Sequence, residues 1–397
     1  MFKSIPKTVW TLGLISLFTD MASEMLYPVL PLFMQQVGMT ILGIGVLEGF
    51  AQLLAGYAKG YFGRLSDVRR SRVPFIRLGY SLSAVAKPLM GFLSFPWGIF
   101  VLRSLDRLGK GIRTAARDAL LSLAAPEGSK VRIFGFHRSM DTIGASVGPL
   151  LALIFLVVRP GDFRNLFFLA LVPGVIAIGL TWRLRRVGSP ATGARHWPGI
   201  HSFIIYLRGA PVSYLRLIGG LLFFGLINSS DFFLLLKIQD LGISEKGVIG
   251  IYIFYNLIYA LLAFPAGILA DRWRFKWILV MGFFAFGLVY LGLGFALDLW
   301  IIALLFFLYG AYAAMTEGIA KAWISNLIAP EEMATAVGAY EALLSICTFL
   351  ASVLAGWVWY RFGSQFLFAG VGLASAILLI YFLTVQIPER TGTKNNY

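Results

Sequence analysis

The stretch GRLSDVRRSR at residues 63–72 recurs in altered form as GILADRWRFK at residues 267–276. Both stretches begin with glycine, place an aspartate four residues later and then add basic residues, and residue 267 stands at an offset of 204 from residue 63. The tripeptide Ala-Pro-Glu at residues 125–127 recurs at residues 329–331, with the same offset. A single offset over so long a span indicates a duplicated unit whose two copies run in parallel orientation.

Outside these stretches the chain is dominated by long apolar runs. Of its 397 residues, 58% are hydrophobic and only 13% are charged, against about 25% charged in ordinary soluble domains. Because a membrane-spanning helix takes about 20 apolar residues, the runs predict an all-α membrane protein of twelve transmembrane helices in two pseudo-symmetric six-helix bundles. We expect an N-terminal bundle at 1–185, a cytoplasmic linker at 186–213 and a C-terminal bundle at 214–397. The predicted helices are 9–34, 41–62, 74–95, 97–120, 134–157, 164–183, 214–236, 248–270, 277–297, 300–324, 335–358 and 365–385.

The formal net charge of +15 would indicate a nucleic-acid partner in a soluble protein. Here the lysines and arginines lie mainly in alternate short segments between apolar runs, which is the pattern of the positive-inside rule. We therefore expect no nucleic-acid partner. The pattern predicts a multi-pass protein of the cytoplasmic (inner) membrane of a prokaryote, with both termini cytoplasmic.

Several kinds of chemistry have no signature in the sequence. One cysteine, Cys347, excludes an internal disulfide, and the three histidines form no ligand cluster, so we expect no metal site and no cofactor. No Gly-x-x-x-x-Gly-Lys-Ser/Thr loop is present, which argues against ATP as the driving force. No catalytic constellation accompanies a soluble pocket, and the sequence therefore does not indicate an enzyme.

The repeated loop resembles the loop signature of the major facilitator superfamily. That resemblance implies two bundles that rock about a central substrate site, with the repeated loops acting as a cytoplasmic gate. Glycine lets two helices approach closely, and aspartate can accept hydrogen bonds at a helix N-terminus or pair with arginine. The gate residues implied are Gly63, Asp67, Arg69, Gly267, Asp271 and Arg272.

Two further motifs resemble those of proton-coupled members of that superfamily. In predicted helix four, residues 107–111 read RLGKG, which resembles an Arg-x-x-x-Gly motif. Predicted helix five matches most of the antiporter signature, but Ala152 and Leu153 replace its final glycine pair. The resemblance implies export, while ordinary tight packing of a glycine-rich helix is the alternative. The matching residues are Gly135, Gly144, Gly148 and Pro149.

Ionisable residues inside apolar helices are costly and usually face a cavity or a partner. Asp20 and Glu24 lie one turn apart on predicted helix one, so they share a face. Membrane carboxylates beside cations can exchange protons as a cavity changes its exposure to water. A buried structural ion-pair network is the alternative. The proton-coupling candidates are Asp20, Glu24, Glu48, Arg107 and Asp141.

Other polar and aromatic residues within the predicted helices are candidates to line a substrate cavity. Predicted helix eight presents three tyrosines and an asparagine at helical spacing, which suits a flat or amphipathic ligand but also suits a tightly packed bundle. For Arg113 a structural or gating contact is the alternative. The candidates are Gln52, Arg113, Asn228, Asp231, Tyr252, Tyr255, Asn256, Tyr259, Glu317 and Glu341.

These features together predict a secondary transporter that exports a small organic molecule by proton-coupled alternating access. The expected partners are the lipid bilayer, a small-molecule substrate and protons, and we expect a monomer. Three other functions stay open from sequence: uptake of an anionic solute, export of a metal or metal chelate, and a non-transporting receptor or scaffold. Because charge is concentrated in the N-terminal half, we expect the coupling chemistry there and apolar substrate contacts in the C-terminal half.

Overall fold

The computed structural model describes residues 5–69, 71–125, 130–184, 206–295, 298–328 and 333–388. Within these ranges the chain is almost entirely α-helical and contains no strand. The helices are α1 (Lys7–Leu26), α2 (Leu30–Gln36), α3 (Ile41–Val68), α4 (Val73–Phe92), α5 (Pro96–Ala124), α6 (Lys130–Val158), α7 (Phe163–Leu169), α8 (Leu171–Thr181), α9 (Val212–Ile227), α10 (Phe232–Asp240), α11 (Glu245–Arg272), α12 (Phe275–Phe295), α13 (Leu299–Leu327), α14 (Met333–Phe362) and α15 (Ser364–Thr384).

These helices account for the twelve predicted spans, because three spans are each built from two consecutive helices. Nine segments of the described chain are long and apolar enough to cross a membrane by length and composition. Helix α5 is not among them, since it carries seven charged side chains between Arg103 and Asp118. The predicted all-α membrane fold is confirmed.

The first and seventh predicted spans are interrupted, which the sequence analysis did not predict. Helix α1 ends at Leu26 and α2 begins at Leu30, with Pro28 between them, because proline has no N–H to continue the helical hydrogen bonds. The corresponding break between α9 and α10 holds the polar run at residues 228–231, whose side chains compete for backbone hydrogen bonds. At an offset of 204 the first break, residues 27–29, maps to residues 231–233 and so adjoins the second break at 228–231.

The described chain divides into two compact units. Unit 1 takes in the described residues of Met1–His196 and Ile238–Ile253, and unit 2 those of Trp197–Lys237 and Phe254–Tyr397. Each unit has its own apolar core, with Tyr80 and Leu120 in unit 1 and Phe283 and Trp323 in unit 2. Most of the predicted linker, 186–213, lies outside the described residues, and the boundaries at 185 and 214 stay a prediction.

Glycines set the packing of α1 against α6 in unit 1. A Cβ atom on Gly144 would strike the carbonyl of Leu17, and one on Gly148 would lie 2.5 Å from the carbonyl oxygen of Met21. A Cβ on Gly13 would in turn lie 3.1 Å from the side chain of Met140. Each contact advances four residues on both helices, so α1 and α6 run parallel along a continuous seam.

Candidate transport sites in the two units

Helix α5 carries seven charged side chains and is held close to its neighbours by glycines. A Cβ on Gly109 would lie 2.7 Å from the carbonyl oxygen of Gly79 on α4, and a Cβ on Gly111 would lie 2.6 Å from that of Ala55 on α3. These close approaches hold α5 against α3 and α4. Arg103, Arg107 and Arg113 of α5 are buried, whereas Lys110 is exposed.

Four charged side chains, two of them on α5, form a buried chain of ion pairs. Glu48, on α3, has no exposed surface. Its Oε1 accepts from Nε of Arg103 at 2.7 Å and its Oε2 from Nη2 at 3.2 Å. Arg103 Nη1 also donates to Asp106 Oδ2 at 3.2 Å, and Lys87 Nζ donates to Asp106 Oδ1 at 2.8 Å. Two carboxylates and two cations therefore neutralise one another and tie α3, α4 and α5 together.

Two further arginines of α5 lie beside this network, and each has an N–H group without a hydrogen-bond acceptor among the described residues. Nη2 of Arg107 lies 3.7 Å from Oε2 of Glu48. Arg113 donates from Nη1 to Oγ of Ser83 at 3.0 Å and stacks over the ring of Tyr80, 4.5 Å from its centroid. Both arginines are buried, and among the described residues their Nε–H groups have no hydrogen-bond acceptor.

The two carboxylates of α1 interact electrostatically with Lys110 of α5. Asp20 and Glu24 are both half-buried, whereas Lys110 is exposed. Asp20 also interacts with Asp141, Glu24 and a second cation, Arg113. Unlike Glu48, these acids share one solvent-accessible cation, so a proton bound by either acid changes the charge balance around Lys110.

A histidine and an aspartate form a second titratable pair on α6. His137 is 3% exposed, and its Nδ1 lies 3.4 Å from Oδ2 of Asp141. Asp141 lies beside the Ser16 hydroxyl and the guanidinium of Arg117, and Arg117 donates from Nη1 to Oγ of Ser16 at 3.1 Å. Asp141 thus joins Asp20 in one electrostatic group.

In unit 2, phenols surround the carboxylate of Asp231. Tyr309 donates to Oδ1 at 2.7 Å and Tyr255 donates to Oδ2 at 3.2 Å. Asn228 Nδ2 donates to the hydroxyl of Tyr312 at 3.0 Å, and the rings of Tyr309 and Tyr312 lie 5.2 Å apart. The site combines one acid with several aromatic faces, a set of groups able to bind a cationic or flat organic ligand.

The three tyrosines predicted to form one face of α11 each serve a different carboxylate. In unit 1, Tyr252 donates to Oε2 of Glu24 at 2.5 Å and stacks near Tyr27. In unit 2, Tyr255 donates to Asp231, as described, and Tyr259 donates to Oε2 of the exposed Glu317 at 3.0 Å. Each of the three tyrosines is therefore a hydrogen-bond donor to a carboxylate.

The other cavity candidates are dispersed. Glu341, on α14, pairs with Lys321 at 2.9 Å in a partly exposed ion pair. Gln52 on α3 and Asn256 on α11 are half-buried. None of these three is brought into the Asp231 group by a contact described above.

The residues of the gate and of the glycine motif occupy unlike environments. A Cβ on Gly63 would lie 2.7 Å from that of Ala115 on α5, whereas one on Gly267 would meet nothing within 4 Å. Arg69 is exposed, and the side chains of Asp67, Asp271 and Arg272 lie outside the described residues. In helix α6, Gly144, Gly148 and Pro149 are buried at the α1 seam, but a Cβ on Gly135 would meet open space.

Several site residues were missed as candidates. Lys87 could have been found from the sequence, because it is a charged residue inside the largely apolar run of α4. Asp106 and Arg103 were considered only as members of a basic helix. Tyr309 and Tyr312 are three residues apart in an apolar helix, which is also typical of core packing. His137 gave a signal in its i, i+4 spacing to Asp141, but the histidines were considered only as metal ligands. The described residues contain no group of three or more His, Cys, Asp or Glu able to hold a metal ion.

Comparison with known proteins decides the family. The profile of the Major Facilitator Superfamily matches residues 12–257 and 233–396. The chain belongs to the major facilitator superfamily. An uncharacterized MFS-type transporter of Methanocaldococcus jannaschii is 32% identical over 388 residues, covering 96% of each chain. This superfamily member is therefore similar to a relative along nearly its whole length.

Two other likenesses are looser. The multidrug resistance protein MdtG of Enterobacter lignolyticus is 26% identical over 195 residues, which is 48% of this chain and 46% of that protein. A crystal structure of the nucleoside transporter NupG superposes with a TM-score of 0.76 at 13% identity, covering 95% of this chain and 98% of that one. This second likeness supports the fold alone. As a superfamily member, the chain is a multi-pass membrane protein and a secondary transporter of small molecules, and it is not an enzyme.

Proposed function

We propose that this transporter couples the export of a small organic molecule to protons, with Asp20 and Glu24 as the proton-carrying acids. One observation carries the proposal: two half-buried carboxylates on one face of α1 share the exposed Lys110 as a cationic neighbour. A proton on either acid leaves Lys110 less compensated, so protonation changes the electrostatic field of unit 1. Such a change is the physical requirement for linking proton binding to substrate binding.

Glu48 and Arg107 play a supporting part in this proposal. Glu48 is fully buried and accepts two hydrogen bonds from Arg103, which makes a charge-assisted bidentate pair. Glu48 then anchors α5, and Arg107 contributes positive charge beside the acids of α1. Asp141 extends the titratable group toward the N-terminal end of the α1–α6 seam.

Export is supported by two observations of unequal weight. The glycine spacing of α6 resembles an antiporter motif, although Gly144 and Gly148 also serve helix packing. MdtG, a multidrug resistance protein, is similar over about half of the chain. The distribution of Lys and Arg supports a cytoplasmic membrane location with both termini cytoplasmic, and we expect the transporter to act as a monomer. Asp231 and its tyrosines are the proposed substrate contacts of unit 2.

Uptake of an anionic solute is the second candidate, favoured by the unused Nε–H donors of Arg107 and Arg113. If an anion binds these arginines and Lys110, protonation of Asp20 or Glu24 would strengthen its binding. Because such linkage is reciprocal, proton and anion would then travel in the same direction. A cationic or neutral substrate that competes with the protons would instead move against them.

The test begins with a thermal-shift screen of metabolites, drugs and metal chelates against the purified protein. A ligand found there is then followed in proteoliposomes under an imposed pH gradient. The proposal expects movement against the proton gradient, lost in Asp20→Asn and Glu24→Gln. Movement that ignores the gradient, with both variants transporting normally, contradicts proton coupling, whereas movement of an anion along the proton gradient supports the second candidate.

A further inference from the structure

The seam between α1 and α6 orders the titratable groups of unit 1 along its length. Gly13 meets Met140, Leu17 meets Gly144 and Met21 meets Gly148, which fixes which residues lie at the same level. In this alignment of the two helices His137 lies at the level of Trp10. The ring centroids of Trp10 and Phe136, the neighbour of His137, are 4.6 Å apart. Along the seam from the N-terminal end the titratable groups therefore follow in the order His137, Asp141, Asp20, Glu24.

The distances along the helix axis suit a stepwise path. Between the level of His137 and that of Glu24 the chain advances fourteen residues, which corresponds to about 21 Å at 1.5 Å per residue. His137 and Asp141 are already in contact at 3.4 Å. Asp20 then interacts electrostatically with both Asp141 and Glu24. The longest step, from the level of Asp141 to that of Asp20, spans six residues or about 9 Å along the axis, and water in the seam would have to bridge it.

Two polar atoms at the N-terminal end of this path lack partners. Among the described residues, Nε2 of His137 and Oδ1 of Asp141 are buried and have no hydrogen-bond partner. A buried polar atom without a partner is costly, and each such atom calls for an explanation such as a catalytic role or an occupying water. An imidazole with one nitrogen against an acid and the other unused has the two ends that a proton relay needs.

We propose that His137 is the last relay for the protons that leave Asp20 and Glu24 toward the cytoplasm, an inference that rests on the proton coupling proposed above. Protons that drive export enter from outside and leave at the N-terminal, cytoplasmic end of the seam, where His137 lies. A proton released by Asp20 passes along the seam to the carboxylate of Asp141. Asp141 then gives a proton from Oδ2 to Nδ1 of the neutral ring while the proton on Nε2 leaves. The ring is again neutral, now with its proton on Nδ1, and rotation of the ring restores the starting arrangement.

Several charged and polar groups surround this path. On α1 the neighbours are Ser16 and the acid Asp20, and on α6 itself the partner is Asp141. On α5, Arg117 interacts with both Asp141 and Asp20. Its positive charge stabilises each carboxylate after the proton has left, which favours release of the proton toward His137.

The first experiment observes the ring itself. The chain has three histidines, so in the full-length double variant His196→Gln/His201→Gln, isotope-labelled histidine gives the NMR signal of His137 alone. We expect this signal to show a ring whose proton exchanges between Nδ1 and Nε2, and Asp141→Asn to alter that exchange. A ring that keeps its proton on one nitrogen throughout overturns the proposal.

The second experiment measures transfer. Purified protein is mixed into a buffer of lower pH that contains a soluble pH dye, and proton uptake is followed by stopped flow. We expect His137→Gln to slow uptake by about tenfold or more, and Ser139→Ala, an exposed position on the same helix, to leave it unchanged. An unaltered uptake rate in His137→Gln refutes the relay alone, whereas normal coupling in Asp20→Asn and Glu24→Gln refutes the proposed function.

Discussion

Arg103 holds Glu48 through two parallel hydrogen bonds, at 2.7 Å and 3.2 Å, and both side chains are buried. The same guanidinium contacts Asp106, which in turn binds Lys87. A proton on Glu48 would cost the pair its charge, so the arrangement favours a structural part for this acid. The acids proposed to carry protons, Asp20 and Glu24, lie instead on α1.

Glu48→Gln is expected to destabilise the protein by about 3 kcal/mol, because removing one partner of a buried pair leaves the other charge poorly compensated. Thermal unfolding of the purified protein in detergent measures the effect. Glu317→Gln is the control, since that acid is exposed and its loss should cost less than about 1 kcal/mol. Equal shifts in the two variants would contradict the structural assignment.

Gly144→Ala and Gly148→Ala are expected to lower the melting temperature and the transport rate, because a Cβ at either position collides with the backbone of α1. Gly135→Ala, on the same helix but facing open space, should stabilise slightly, since alanine exceeds glycine in helix propensity by about 1 kcal/mol. A uniform response of all three variants would show that the motif does not act through the seam.

Two lysines should respond differently to the same change. Lys87 is 3% exposed and bound to Asp106, so Lys87→Gln should lower the melting temperature. Lys110 is exposed beside Asp20 and Glu24, so Lys110→Gln should leave melting nearly unchanged and abolish pH-driven transport. Full coupling in Lys110→Gln would remove the observation on which the proposed function depends.

Tyr252→Phe removes the phenol that donates to Glu24. We expect the pH dependence of transport to change, because a hydrogen bond to a carboxylate stabilises its charged form by about 1.5–3 kcal/mol. Transport in proteoliposomes over a series of pH values measures this. Tyr259→Phe, whose partner is the exposed Glu317, serves as the control and should keep the wild-type profile.

Tyr309→Phe tests the proposed substrate contacts of unit 2. The change takes one donor from Asp231 and leaves the aromatic surface in place, so ligand affinity should shift while helix packing is kept. Binding of ligands from the thermal-shift screen, compared between Tyr309→Phe and wild type, checks the prediction. Identical ligand preference and affinity would mean that Asp231 and its tyrosines do not contact the substrate.

The sequence sufficed for the number of spans because apolar runs and one repeated offset are properties of the chain alone. It also placed Asp20 and Glu24 on one face, since residues four apart on a helix always share a face. The bidentate grip of Arg103 on Glu48 could not be predicted, because it depends on how closely α5 approaches α3. That approach is set by Gly111 against Ala55, a contact between distant segments.

The helix breaks were missed for a related reason. Pro28 was visible in the sequence, but proline is tolerated in membrane helices, and the run continued apolar beyond it. The break before Asp231 follows from the polar run at 228–231, which the sequence analysis considered only as a source of cavity candidates. The offset of 204 shows that the two breaks lie next to each other when the halves are aligned, and this relation is not visible from either sequence segment alone.

The seam between α1 and α6 also bears on how this protein can evolve. Gly144 and Gly148 admit no larger side chain, so a mutation there removes a working transporter from the population before selection can act on its substrate range. If Asp231 and its tyrosines contact the substrate, as proposed, divergence toward new substrates should accumulate around them, while the α1–α6 pair changes slowly.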